Sequence, residues 1–261
     1  MLSRVGAGVL GFVEGFGSLN LFFFRSLVLL CRNGVSMRST LAQMYQSGVH
    51  SLSTTVVAGL FVGAIMAIQI NMQLVDFGAE AFLGGLSTSV TIRNVGPVLI
   101  AFILSGKVGA YTSAELGTMR VTDQIDAIRC LGTDPLVYLV LPRLVAVIAS
   151  SFILLVVGLM VTIAGGLILS WVKLGVSPEA FLQNVPTIVN GTSLAMGMTK
   201  SLVFGLLIGV TCCYRGYHAT GGAAGVGRTV RQAAVQTLVA IIIADFALTE
   251  TFKIATDWMG W

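Results

Sequence analysis

The sequence predicts an all-α integral membrane protein with five transmembrane helices, an N-terminal interfacial helix and a further helix in a cytoplasmic loop. Composition is the first observation: 56% of the 261 residues are apolar and 10% are charged, whereas soluble domains carry about 25% charged residues. The apolar residues also form stretches of about 20, the length that crosses a bilayer. Finally, Lys and Arg concentrate in alternate connections between these stretches. We therefore expect one membrane domain, residues 1–261, without a separate soluble domain.

The N-terminal region, residues 1–51, is predicted to lie in the membrane interface. Its apolar run, residues 16–31, reads FGSLNLFFFRSLVLLC and carries Arg25 midway. The run is shorter than a span, which favours a helix in the interface, with a sixth span as the alternative. A weaker run after Arg4 is broken by Glu14, and no cleavage site follows. We therefore expect no signal peptide.

Five spans form the predicted core, residues 52–256. The first lies in a stretch without Asp, Glu, Lys or Arg that extends from Arg38 to Asp76. Near the C-terminus, Trp258 and Trp261 stand where interfacial aromatic residues belong. The predicted spans are 52–73, 83–106, 144–171, 192–213 and 234–256.

The distribution of basic residues predicts the orientation. The N-terminal region holds four Lys or Arg residues, the 107–143 loop four and the 214–231 loop three, whereas Lys173 and Lys253 stand on the other side. By the positive-inside rule the N-terminus is cytoplasmic and the C-terminus faces the periplasm. The net charge of +4 follows from this topology, so we expect no nucleic-acid binding.

The 107–143 loop is the only long polar interruption, with eight of the 26 charged residues. Residues 112–131 are predicted to form one helix, because Val121, Ile125, Ile128 and Leu131 share a helical face. Gly132 at the C-cap and then Asp134-Pro135 predict where the helix stops. This helix either rests on the membrane surface or docks a cytosolic partner. Its balanced charge favours docking, because helices that rest on anionic lipid are usually basic.

Three charged residues fall inside predicted spans: Arg93, Lys200 and Asp245. Each costs about 2.5–3.5 kcal/mol to insert, which is tolerated when charges pair or face a wet cavity. Lys200 and Asp245 are predicted to form an ion pair between the fourth and fifth spans. Arg93 then has no acid at a similar depth. It is predicted either to hold an anionic phosphate with its guanidinium fork or to bond carbonyls freed by a kink at Gly96-Pro97.

Two glycine patterns are interpreted as packing. Gly59–Gly63 and Gly205–Gly209 are GxxxG pairs, which permit close helix approach, and one of them is a candidate for a dimer interface. Residues 222–229 nearly fit the P-loop spacing GxxxxGK[ST]. Arg228 replaces the required Lys and no soluble strand precedes the run, so we interpret it as a cytoplasmic turn.

Cysteines and histidines indicate neither a metal site nor an enzyme. The four cysteines show no CxxC or Cys/His spacing and lie on or near the predicted cytoplasmic side, so neither a disulfide nor a metal is expected. His50 and His218 lie at or outside span ends, and no GxSG or HExxH motif occurs. We therefore expect no cofactor and no catalytic residue in this chain. The cysteines are Cys31, Cys130, Cys212 and Cys213.

The loop segment AELGTMRVTDQIDAIRCLGTDPLVYLVLPR resembles the signature of the MlaE/YrbE permease family, the membrane subunits of ABC-type phospholipid transporters. The likeness continues through IRNVGPVLIAFILSGKVGA, GGAAGVGRTVRQAAV and IADF, and covers most of residues 50–250. It implies that the loop holds a coupling helix seated in a cytosolic ATPase, which binds ATP and Mg. It also implies a homodimer, an MCE-domain partner, a phospholipid substrate and a bacterial inner membrane, with a chloroplast envelope as the alternative. The candidate coupling residues are Glu115, Arg120, Asp123, Asp126 and Arg129.

Two positions depart from the pattern of the family. Asn94 stands where an acidic residue usually follows the arginine, and Lys107 stands where an arginine is usual. Arg93, Asn94 and Lys200 are the predicted lipid-binding residues. An ion-coupled secondary transporter that works without an ATPase is the alternative function. Such a transporter would use Arg93, Lys200 and Asp245 as its ion relay. It would be expected to contain inverted repeats, which the sequence does not display.

Overall fold

The computed structural model describes the backbone of residues 2–259 and the side chains of residues 17–32 and 34–258. This part of the chain is helical and contains no strand, which confirms the all-α class. The α-helices are α1 Leu2–Asn33, α2 Met37–Met44, α3 His50–Val75, α4 Leu83–Val90, α5 Gly96–Leu104, α6 Ala110–Val121, α7 Gln124–Cys130, α8 Leu141–Leu174, α9 Pro178–Gln183, α10 Val185–Ile188, α11 Gly191–Tyr217 and α12 Gly222–Met259.

Several of these helices join into longer rods. Four helical segments of the described residues are long and apolar enough to cross a membrane: Met37–Val75, Glu80–Val121, Leu136–Leu174 and Gly191–Tyr217. Each contains one predicted span but extends beyond it. A helix of 39 residues is about 58 Å long at 1.5 Å per residue, whereas the hydrocarbon core is about 30 Å thick. The predicted fifth span, 234–256, lies within α12, which is not one of these four segments. Because α12 begins at Gly222, the interpretation of residues 222–229 as a turn is wrong.

π-helical turns connect the segments of these rods. One of them, Thr91–Val95, comes directly before α5, whose second residue is Pro97. Proline has no N–H to bond the carbonyl four residues earlier, and a widened turn accommodates that missing bond. The helix therefore passes Pro97 without ending. Further π-helical turns occupy Tyr45–Val49, Ser105–Gly109 and Leu136–Val140.

α8 lies between α3 and α11, and glycines permit the close contacts. A Cβ atom at Gly63 would overlap the Thr162 carbonyl of α8, and one at Gly165 would overlap the Leu60 carbonyl of α3. A Cβ atom at Gly205 of α11 would overlap Ser151 of α8. Both predicted GxxxG pairs therefore pack against α8 within the chain, which confirms their interpretation as packing.

The predicted single helix over 112–131 is wrong. α6 ends at Val121, and Asp123 adopts a left-handed conformation with φ 59° before α7 begins. Asp is among the few non-glycine residues that tolerate this region. The predicted stop is confirmed, because Gly132 has φ 76° and the Asp134 side chain accepts a hydrogen bond of 3.0 Å from the Leu136 N–H.

α1 is longer than the predicted 16–31 helix, because the helix begins at Leu2. Its Phe22 side chain is buried against Tyr214 and Tyr217 of α11. The N-terminal segment thus packs on the bundle beside α7. Whether it lies in the interface stays a prediction, and the side chains of Arg4, Glu14 and Trp261 lie outside the described residues.

The connection between α8 and α11 contains α9 and α10, which the sequence analysis did not predict. Ser177 caps α9 by accepting a hydrogen bond of 3.3 Å from the Ala180 N–H. A Cβ atom at Gly84 of α4 would overlap the Phe181 carbonyl, so α4 lies directly against α9. We call this end, with α9 and α10, the α10 end of the bundle, and the other the α7 end.

Candidate functional site

A cavity of about 440 Å³ opens at the α10 end, between α4, α10, α11 and α12. Arg93 and Asn94 enter it from the π-helical turn, and Thr249 and Lys253 enter it from α12. The remaining walls combine hydroxyl groups with apolar side chains. These are Leu86, Ser89, Val90, Ile188, Thr192, Met196, Phe252 and Thr256.

Lys200 lies beside this cavity and is fully buried, with 0% of its side chain exposed. Its Nζ lies 2.7 Å from Asp245 Oδ1 and donates to Asn94 Oδ1 at 3.0 Å and Thr249 Oγ1 at 2.9 Å. Of the three donors of the ammonium group, Asn94 and Thr249 accept from two, and Asp245 supplies the neighbouring negative charge. The structure therefore brings Lys200 and Asp245 together as the predicted ion pair. Lys200 is completely buried behind the cavity lining, and its predicted lipid contact stays a prediction.

Asn94 holds the position where the family pattern has an acid. Its side-chain oxygen accepts from Lys200, whose charge Asp245 already balances. Because Asn94 is neutral, the buried cluster carries no excess negative charge that could compensate the nearby Arg93. The other departure, Lys107, donates to the His50 carbonyl and to Thr54 Oγ1, and so ties the second rod to α3.

Arg93 is exposed in the cavity and makes no hydrogen bond or ion pair with any residue that the structure describes. This geometry contradicts the alternative in which it bonds carbonyls near Pro97. Lys253 also lines the cavity without a described partner, and no Asp or Glu does so. Two cations surrounded by hydroxyl groups and apolar walls can hold an anionic group attached to an apolar body.

Lys253 was not among the predicted site residues, because it was used only to assign the orientation of the chain. The available signal was its helical spacing from the ion pair. Asp245, Thr249 and Lys253 follow one another at intervals of four residues, which places them on one face of α12. Since Asp245 meets Lys200, that face is the one that continues into the cavity.

At the α7 end, ion pairs fold the loop back on itself. Arg120 Nη1 donates to both carboxylate oxygens of Asp126 at 2.8 Å. Arg129 lies 3.5 Å from the same carboxylate and donates to the Tyr217 hydroxyl at 2.7 Å. Ile125 is completely buried beneath these pairs. The loop is therefore a rigid unit attached to α11.

A second ion pair attaches α6 to α8. Arg143, with 6% of its side chain exposed, lies 2.7 Å from Glu115 Oε2. Its Nη1 also donates to the Leu139 carbonyl at 2.9 Å. Arg143 was predicted only as a topology residue, since the sequence does not indicate which carboxylate it meets.

These contacts divide the five predicted coupling residues. Glu115, Arg120, Asp126 and Arg129 all bond other residues of the chain. The Asp123 side chain is exposed and has no described partner, whereas its backbone bonds Arg120 and Ala127. It stands with Gln124 and Ala127 on the exposed side of the loop, near Leu131, which is 82% exposed. The paired side chains of Arg120, Asp126 and Arg129 remain 33–54% exposed, so the role of the five residues in coupling stays a prediction.

Comparison with known proteins gives matches over nearly the whole chain. The family model for the permease MlaE matches residues 40–251. A probable ABC transporter permease protein of Rickettsia felis is 34% identical over 250 residues, 96% of each chain. One of Synechocystis is 37% identical over 230 residues, 87% of this chain and 88% of its own.

A plant protein is also similar. TRIGALACTOSYLDIACYLGLYCEROL 1, chloroplastic, of Arabidopsis thaliana is 33% identical over 223 residues, 85% of this chain and 64% of its own. Because the family model matches residues 40–251 and the relatives are similar over most of the chain, the chain belongs to the MlaE permease family.

Proposed function

We propose that this protein is the permease subunit of an ATP-driven ABC transporter that moves phospholipids between the bacterial inner membrane and the outer membrane or a periplasmic carrier. The family and the names of the relatives support a transport subunit of the ABC type rather than an enzyme. The observation that carries the phospholipid assignment is Arg93, an uncompensated guanidinium in a cavity of about 440 Å³ with apolar walls.

The cavity provides separate contacts for the two parts of a phospholipid. The Arg93 fork and the Lys253 ammonium would bind phosphate oxygens, and hydroxyl groups such as Thr192 would donate to the rest of the headgroup. Leu86 and Phe252 supply apolar surface for the beginning of the acyl chains. Lys200 and Asn94 would hold the π-helical turn in place, so that Arg93 stays directed into the cavity.

We further propose that two copies work with a cytosolic ATPase, which binds ATP and Mg, and with an MCE-domain protein on the outer face. In this arrangement the N-terminus and α7 face the cytoplasm, and the C-terminus faces the periplasm. Asp123 and Leu131 would contact the ATPase. α7 is attached to α11 through Arg129 and to α6 through Asp126, and α6 is attached to α8 through Arg143. A displacement of α7 would therefore reach α11 and α8 and change the cavity.

Mass spectrometry of the lipids that copurify with the detergent-solubilised protein tests this function. We expect bound phospholipid in the wild type and a several-fold loss in Arg93→Ala, because the variant removes the phosphate fork. Lys173→Ala, which removes an exposed cation without a described partner, is the matched control and should retain the lipid. Equal lipid retention and equal transport in wild type and Arg93→Ala would refute the headgroup role.

A further inference from the structure

A second basic cluster lies at the α7 end, where α11 ends and α12 begins. Arg215, Arg228 and Arg231 line two adjoining cavities of about 360 and 490 Å³. Arg215, Arg228 and Gln232 line both cavities, and no Asp or Glu lines either. We call these three arginines the α12 arginine cluster.

Nothing in the described part of the chain neutralises this cluster. Arg215 Nε donates to the neutral Gln236 side chain at 2.6 Å, whereas Arg228 and Arg231 are exposed and make no described hydrogen bond or ion pair. The arginines of the nearby loop differ, since Arg120 and Arg129 both meet a carboxylate. Three guanidinium groups without an acid favour a phosphate-bearing ligand.

An apolar stripe continues from the cluster along α12. Val235, Val239, Ile242 and Phe246 are 50–69% exposed, and their spacing places them on one face of the helix. This stripe belongs to the segment predicted to cross the membrane. An acidic soluble protein could meet the arginines but not the stripe, whereas a phospholipid has both an anionic end and an apolar chain.

We infer that the α12 arginine cluster binds an anionic phospholipid of the leaflet at the α7 end, with its phosphate on the arginines and an acyl chain along the stripe. Arg231 and Lys253 are 22 residues apart, about 33 Å along the helix, close to the roughly 30 Å of a hydrocarbon core. α12 thus carries a headgroup site in each leaflet. The inner-leaflet site does not depend on which substrate enters the cavity at Arg93.

Native mass spectrometry of the purified full chain, titrated with phosphatidylglycerol or phosphatidylcholine, tests the inference. All samples carry Arg93→Ala, so that binding in the other cavity does not contribute. We expect the parent to prefer phosphatidylglycerol. A basic residue near a membrane surface contributes about fivefold to anionic lipid binding. The double variant Arg228→Gln/Arg231→Gln should therefore lower the affinity for phosphatidylglycerol by about 25-fold. Arg38→Gln, an exposed arginine outside the cluster, should bind like the parent.

A charge-preserving variant separates binding from folding. Arg228→Lys/Arg231→Lys should keep phosphatidylglycerol binding within a few-fold and elute at the same volume as the glutamine variant in size-exclusion chromatography. The inference is overturned if the glutamine variant binds phosphatidylglycerol like the parent, or if the parent binds both lipids equally. Retained lipid binding with loss of ATPase association would also overturn it and would assign the cluster to a protein partner.

Discussion

Lys200 is a charged residue that the protein has removed completely from solvent. Burying an ammonium group is costly unless a counter-ion and hydrogen-bond acceptors replace water, and here Asp245 supplies the counter-ion and Asn94 and Thr249 the acceptors. The neighbouring Arg93 has no such set of partners. Lys200, whose partners lie within the protein, is therefore a structural charge, whereas Arg93 is available to a ligand.

Lys200→Met should destabilise the protein, because it leaves the partly buried Asp245 carboxylate without its cation. Breaking a buried pair costs about 3–5 kcal/mol, and we expect the lower end of that range because Asp245 remains 27% exposed. SDS titration of the purified protein would measure the free energy of unfolding. Lys200→Met/Asp245→Asn should recover most of the loss, and Lys173→Met should have little effect. Equal stability of the two Lys200 variants would contradict this prediction.

Thr122 and Asp123 interrupt the helix between α6 and α7 and determine the conformation of the loop. The left-handed Asp123 turns α7 back so that Asp126 meets Arg120, and this closure buries Ile125. Most of the charged residues of the loop form ion pairs with one another, whereas the Asp123 carboxylate is exposed and has no described partner. The element can move as one piece and carry α11 with it.

Asp123→Arg should weaken association with the cytosolic ATPase by about tenfold, equivalent to about 1.4 kcal/mol, since it reverses an exposed charge that no described residue of the chain pairs. Asp123→Asn tolerates the same backbone conformation and should have a smaller effect. Co-purification of the two proteins provides the measurement, and Asp76→Arg at the α10 end is the control. Wild-type association of Asp123→Arg would show that the carboxylate is not a contact. A compensating reversal on the ATPase should restore binding and identify the partner residue.

At the scale of the whole molecule, α8 organises the bundle by receiving α3 and α11 at glycine contacts. These contacts bring backbone against backbone, so helix positions depend on the absence of a Cβ atom rather than on side-chain interdigitation. α12 packs against α5, α6 and α11 of this bundle. It places Lys253 in one cavity and the α12 arginine cluster near the other end.

Gly63→Ala should destabilise the bundle, because the added methyl would overlap the Thr162 carbonyl and no side-chain rotation can relieve that contact. Overpacking of this kind costs about 1–3 kcal/mol or more. Gly106→Ala is the matched control, since a Cβ atom there meets nothing within 4 Å, and helix propensity favours Ala by up to about 1 kcal/mol. SDS unfolding compares the two variants. Equal stability would indicate that α3 and α8 do not approach as closely as described.

The sequence by itself determined the helical membrane class, the ranges of the apolar segments, the stop at Gly132 and the complementarity of Lys200 and Asp245. Hydropathy, capping signals and charge are properties of short segments, so they can be recognised without the fold. The ends of the rods were missed, because hydropathy marks only the part of a helix that meets lipid.

Only the tertiary structure decided which charges are free. Asn94 and Lys200 meet although they are 106 residues apart, and Arg143 meets Glu115 across 28 residues. Partner choice at such separations depends on how helices pack, not on spacing along the chain. For the same reason, only the structure shows that Lys253 lines the cavity and that four of the five predicted coupling residues form ion pairs within the chain.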